Sequence, residues 1–253
     1  MWREARTETI DRKYSYTSPH PLQFDASMKL LLFDIDGTLL TANGTGRTSI
    51  EAALSQQFGQ PITTDGVTFS GRTDPQIMAE VLRANDIAPT AAHVETALAT
   101  YQERAHAALS PDTVSVLPGV AALVDSLRQR EDVQLGIVTG NVKCMAYRKL
   151  EAARLDALFP FGAFGSDHAD RNRLPPLAID RAAAHTGRRF EGTDVVVIGD
   201  TARDIECGAR VGAFVVGVCT GHYTRDDLAP HGPDLLLDDL RDRNGFVEQV
   251  VQQ

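Results

Sequence analysis

The feature that most constrains this 253-residue chain is the run Leu30-Leu31-Leu32-Phe33, which ends in Asp34-Ile35-Asp36-Gly37-Thr38. A short, unbroken apolar run suits a strand buried on both faces, as in a parallel sheet. Three further runs have the same character, at 133–138, 195–198 and 214–218. Helical stretches fall between them, at 119–130, 142–153, 175–186 and 203–211. Strands alternating with helices predict an α/β fold with a doubly wound, mostly parallel sheet. A late strand at 235–237 and a last helix at 246–251 complete the pattern.

Residues 44–112 break the rhythm. They read as helices at about 46–58, 74–85 and 91–109, joined to the rest near Asn43-Gly44 and Ser110-Pro111. The expected organisation is a core built from 28–43 and 113–253, with a helical cap domain of 44–112 inserted after the first strand. Residues 1–27 are polar, carry mixed charge and contain Ser18-Pro19-His20-Pro21. They are expected to be either a disordered tail or an extension from an upstream start, with Met28 as the working start. The acidic Glu4, Glu8 and Asp11, and the lack of an apolar stretch, argue against a targeting peptide.

Ligands of an open α/β sheet bind beyond the carboxyl ends of its strands. Asp34 and Asp36 follow the first run, and Thr139-Gly140-Asn141 follow the second. Gly199-Asp200-Thr201 follow the third, with Asp204 one turn later. Carboxylates packed together raise one another's pKa, and a divalent cation removes the conflict. Magnesium takes few carboxylates, keeps several waters and leaves room for a phosphate. The expected ligands are Asp34, Asp200 and the Asp36 backbone carbonyl, with Asp204 at the margin. A carboxylate in such a place can attack a phosphoryl group, which suits Asp34. Strand alternation returns Asp36 to the same side, where it can serve as acid and base. Gly37, followed by Thr38, permits a tight turn beside the phosphate. The Thr139 hydroxyl and the backbone N–H groups around Gly140 and Asn141 can meet phosphoryl oxygens.

These residues resemble the haloacid dehalogenase superfamily over nearly all of 29–253. The first family motif, D-x-D-G-T, is similar to Asp34–Thr38, the second to Thr139, and the fourth to Gly199-Asp200-Thr201 through Asp204-Ile205. The resemblance implies Asp34 as nucleophile, Asp36 as acid/base, magnesium as cofactor and a small helical cap. The third motif departs from the family. Where K-P-x-P is usual, this chain has Arg171-Asn172-Arg173-Leu174-Pro175-Pro176. Aligning Pro176 with the last proline puts Arg173 on the lysine, with Arg171 two residues away as the other candidate; arginine binds phosphate well. Within the superfamily the chain looks most like phosphoglycolate-phosphatase-like members. Ser70-Gly71-Arg72-Thr73-Asp74-Pro75 is similar to their G-x-T-D-x-x-I segment, which implies substrate contacts from Arg72 and Thr73. Thr73 or Asp74 also suits a helix cap ahead of Pro75.

The formal net charge of −9 argues against a nucleic-acid or anionic-membrane surface. No apolar run is long enough to span a bilayer. Cys144, Cys207 and Cys219 form no metal-site spacing and fit a reducing cytoplasm. The expected partner is a small phosphorylated metabolite, bound by a monomer or homodimer. Asp36 counts against a dehalogenase, and the lysine-free 44–112 segment counts against a phosphonate hydrolase. The expected activity is phosphate-monoester hydrolysis through an aspartyl-phosphate on Asp34. A phosphomutase and a non-catalytic phosphate-binding module are the alternatives. A phospho-accepting signalling domain would lack Asp36.

Overall fold

The apolar runs become strands of one sheet in the structure, a computed structural model that describes residues 28–252. The extension expected over 1–27 lies outside the described residues. Strand β1 (Lys29–Phe33) is buried along its whole length. It lies between β4 (Val133–Thr139) and β6 (Val195–Gly199), parallel to both. Leu31 faces Leu135 on one side and Val196 on the other. Strands β5 (Gly162–Phe164), β7 (Phe214–Val218) and β8 (Leu235–Leu237) complete a parallel sheet of order β5-β4-β1-β6-β7-β8. The α/β expectation holds. The three-residue β5 was not anticipated; an edge strand this short carries little periodic signal.

Side chains of β1 alternate between two cores. Leu31 and Phe33 join the larger one, together with Ile35, while Leu30 and Leu32 join the other. Helix α4 (Val120–Leu127) and helix α5 (Lys143–Ala152) cover the first face. Helix α6 (Leu174–Thr186) covers the second through Leu174, Ala178 and Ala182. Helix α7 (Ala202–Arg210) follows β6 and packs on β6 and β7. Burying a Leu or Phe side chain contributes about 1.5–3 kcal/mol, so the sheet centre is the stable frame on which the strand ends are held.

After β1 the chain turns at Gly37, where the N–H groups of Leu39 and Leu40 both donate to the Ile35 carbonyl. A two-residue strand β2 (Leu40–Thr41) then pairs antiparallel with β3 (Ser115–Val116). This ladder stands where the helical segment leaves and returns, and the sequence reading did not foresee it. Between the two strands lie α1 (Thr45–Phe58), α2 (Asp74–Ala84) and α3 (Ala91–Ala108), with α3 packed on both others. Thr73 caps α2 in a capping box with Gln76, and Pro75 sits in the first turn. Near the C-terminus, α8 (Arg225–Leu228) precedes β8 and α9 (Arg243–Phe246) runs on into a π-helical turn, Val247–Val251.

Candidate active site

Hydrogen bonding continues one residue past β1, because the Asp34 N–H donates to the Ile198 carbonyl at 2.9 Å. Asp34 is thereby held at the strand end with its carboxylate buried. Gly37 follows with φ of 86°, and a Cβ there would run into the Asp200 carboxylate. Only glycine gives both that conformation and that closeness. The Thr38 hydroxyl donates to Asp200 Oδ1 at 3.2 Å, so Thr38 steadies a carboxylate and does not line the cavity.

Asp34, Asp200 and Asp204 offer oxygens that all lie within 4.8 Å of one another. Burial is the largest influence on Asp34 and Asp200 and pushes both pKa values up; the neighbouring aspartates add to the rise and Arg171 opposes it. Arg171 is itself buried and donates to Asp34 Oδ1 at 2.8 Å and to Asp204. Burial works against its charge, but Asp204 and Asp34 outweigh that and hold it firmly protonated. Asp204 is fully engaged. Its Oδ1 takes Arg171 and its Oδ2 takes the Thr201 N–H at 3.0 Å and the Thr201 hydroxyl at 2.6 Å. Thr201 and Asp204 form the capping box of α7, which places Asp204 one turn into the helix. This donor set fits a hard divalent cation. Two buried carboxylates with raised pKa values lie side by side at the cavity, and among the described residues Arg171 is the cation whose charge acts on both.

Asp36 has other partners, and its side chain is 41% exposed. Its Oδ2 accepts from Asn141 Nδ2 at 2.6 Å. Lys149 Nζ, on α5, reaches both of its oxygens at 2.8 and 2.6 Å. Asn141 Nδ2 also donates to Thr139 Oγ1 at 3.0 Å, which ties the end of β4 into the same group. Thr139, Gly140 and Asn141 all line the cavity.

The cavity, about 380 Å³, lies between these strand ends and α1–α3. Arg47, Ile50, Phe69 and Tyr101 form part of the helical wall. Arg47 lies over the Phe69 ring at 4.0 Å and donates to Thr64 and to the Val67 carbonyl. Tyr101 is buried, and its hydroxyl has no protein hydrogen bond among the described residues. Helix α2 is pinned to the strand ends. The Asp74 N–H donates to the Gly140 carbonyl at 2.7 Å, and Asp74 Oδ2 accepts from the Val142 N–H at 2.8 Å. The approach is so close that a Cβ on Gly140 would strike the Arg72 carbonyl.

The two third-motif candidates separate. Arg171 reaches the carboxylates, whereas Arg173 is exposed outside the cavity. The reason is local: Asp170 caps a 3₁₀ turn, Arg171–Arg173, which sends the two side chains in different directions. Thr73 was expected on the substrate, but its hydroxyl donates to the Ala169 carbonyl at 2.7 Å and it stands outside the lining. Arg72 does line the cavity, paired with Glu80. His222 lines it as well, while His168 lies in a separate groove. Lys149 escaped the sequence reading. Its signal was a lysine on the apolar side of α5, in the stripe of Met145, Ala146 and Leu150.

A profile described as haloacid dehalogenase-like hydrolase matches residues 31–218. The chain belongs to that family. Pyrophosphatase PpaX of Listeria innocua is 29% identical over 219 residues, 86% of this chain and 95% of its own. A phosphoglycolate phosphatase of Synechococcus elongatus is 28% identical over 231 residues, 89% of this chain and all of its own. Among solved structures, a hydrolase from Pseudomonas syringae superposes with a TM-score of 0.67 at 20% identity, over 88% of this chain and 99% of that one. A predicted phosphoglycolate phosphatase from Haemophilus somnus reaches 0.68 at 20% identity, over 87% and 98%. The expectation of a phosphatase-type hydrolase within this family stands. Among the described residues no helix is long and apolar enough to cross a membrane.

Proposed function

We propose that this haloacid dehalogenase-like hydrolase is a magnesium-dependent phosphatase of small phosphate monoesters, working through an aspartyl-phosphate on Asp34. One observation carries the reading. A buried carboxylate beside Arg171 and Asp200 forms the cavity floor, and a second carboxylate, Asp36, stands at the same cavity without sharing their contacts. Two carboxylates in such different surroundings suit two different roles.

Asp34, Asp200 and the Asp36 carbonyl would hold magnesium, with Asp204 behind them as the partner of Arg171. The ion supplies charge neutralisation for the phosphoryl oxygens and the nucleophile. Asp34 Oδ attacks phosphorus and the ester P–O bond breaks. The Asp36 carboxyl gives its proton to the departing oxygen, releasing an alcohol. Water then attacks phosphorus and passes a proton back to Asp36; the bond to Asp34 breaks and phosphate leaves. Thr139 and the N–H groups near Gly140 and Asn141 serve the phosphoryl oxygens. Arg171 holds Asp34 in place and offsets charge as the phosphoryl group arrives.

Residues 44–112 act as the cap over this cavity, excluding water and selecting the part of the substrate beyond the phosphate. A space of about 380 Å³ suits a small metabolite. The named relatives make phosphoglycolate and pyrophosphate the first compounds to try. The three free cysteines agree with a reducing cytoplasm. Phosphate release from a panel of small esters and pyrophosphate, with magnesium and then with EDTA, tests the reading for wild type and Asp34→Asn. Release that needs magnesium and disappears in Asp34→Asn supports it. Release that survives the substitution overturns it, and a stable phosphate on Asp34 without release points to a mutase.

A further inference from the structure

Lys149 has no part in the reaction as written, yet it is among the most constrained charges in the molecule. It lies 6% exposed on the buried side of α5, where a leucine or methionine would continue the apolar stripe. Burying an ammonium group costs several kcal/mol unless it is paired and fully hydrogen-bonded. Here it is both. Nζ meets Asp36 Oδ1 at 2.8 Å, Asp36 Oδ2 at 2.6 Å and Asn141 Oδ1 at 2.7 Å. An ammonium has three donors, and each has an acceptor. None is left over for a phosphoryl oxygen.

Asn141 closes the arrangement by donating from Nδ2 to Asp36 Oδ2 at 2.6 Å while its own Oδ1 accepts from Lys149. The Asp36 carboxylate is therefore gripped from two elements, the end of β4 and the second turn of α5. Without that grip an aspartate with a 41% exposed side chain, next to a glycine, has several rotamers open to it. Proton transfer to a leaving oxygen needs heavy atoms about 2.6–3.2 Å apart, so a wandering carboxyl loses most of its value.

We infer that Lys149 is a positioning residue for Asp36, fixing the direction from which that carboxyl meets the ester oxygen. The inference rests on the aspartyl-phosphate reading above. It gives the sequence Thr139-Gly140-Asn141 and the lysine eight residues beyond Asn141 one shared purpose. It also separates Lys149 from Arg171, which serves Asp34.

Leaving-group dependence tests the idea, because p-nitrophenolate departs without a proton and an alkoxide does not. The full chain with magnesium is assayed on p-nitrophenyl phosphate and on benzyl phosphate, two esters of similar size. Lys149→Met should lower kcat/KM for benzyl phosphate on the order of tenfold more than for p-nitrophenyl phosphate, a part of the roughly 10²–10⁴-fold that a positioned general acid supplies. KM should move little, Lys149→Arg should recover part of the loss, and adding Lys149→Met to Asp36→Asn should cost nothing further. Should Lys149→Met fail to fold, Lys149→Gln carries the same comparison. Equal losses on both esters, or additive losses in the double variant, overturn the inference while leaving the phosphatase reading intact. A wild type inert toward both esters overturns both.

Discussion

Replacing Asp74 with asparagine is expected to change how the stability of this protein depends on pH. The carboxyl sits in the first turn of α2, 7% exposed, and accepts the Val142 N–H at 2.8 Å. Burial is the largest influence on it and raises its pKa from 3.8 to about 6; Lys149 and the Val142 N–H pull it down, and Asp36 pushes it up. The folded state therefore holds this proton more tightly than the unfolded chain does. Its contribution is complete below the unfolded value of 3.8 and is lost as pH rises through about 6. The difference is worth about 3 kcal/mol, at about 1.4 kcal/mol per pH unit. Between about pH 8 and about pH 5, about 1.4 kcal/mol of that returns to the wild type. Asparagine keeps the shape and a carbonyl oxygen for Val142 but has no proton to bind. Urea unfolding of both proteins at the two pH values measures the effect. The stability difference should move toward the wild type by about 1.4 kcal/mol as pH falls over that interval. A difference that stays flat, or moves toward asparagine, refutes the reasoning, since either means that Asp74 is not a carboxyl penalised by burial.

Arg171→Ala should destabilise the fold by about 3–5 kcal/mol in EDTA, because it strands Asp34 and Asp204 as buried carboxylates without their cation. Arg173→Ala, on an exposed side chain, should stay within about 0.5 kcal/mol of wild type and leave turnover unchanged; thermal unfolding and phosphate release read both. Tyr101→Phe removes, from a residue that lines the cavity, a hydroxyl with no protein hydrogen bond among the described residues. It should raise KM for the best ester by about twofold to tenfold, the worth of one hydrogen bond, with melting temperature little changed. Thr38→Val should weaken activation by magnesium, read as a higher magnesium concentration for half-maximal release, because Asp200 Oδ1 loses the hydroxyl that steadies it.

Much of this site could be read along the chain. Asp34, Asp36, Thr139 and Asp200 each stand where an apolar run stops, and the sheet brings such endings to one edge. The helices at 45–108 were visible from composition and from the Thr73-Asp74-Pro75 start signal. The placements that the sequence left open or missed depend on direction and not on position. Arg171 and Arg173 are two residues apart in a 3₁₀ turn, and no periodicity says which of them turns inward. The hydroxyl of Thr73 was free to choose a substrate or the Ala169 carbonyl until β5 and its loop were in place.

Local chemistry by itself determined which stretches became strands and that carboxylates would gather at their ends, because burial on both faces and the alternation of side chains are properties of a few consecutive residues. The partner of each charge was decided only in three dimensions. Lys149 lies 113 residues from Asp36, and Arg171 lies 137 residues from Asp34. A buried charge is tolerated only where packing delivers its counter-charge within hydrogen-bond distance, and that distance is set by the whole sheet and the helices on it, not by any segment alone.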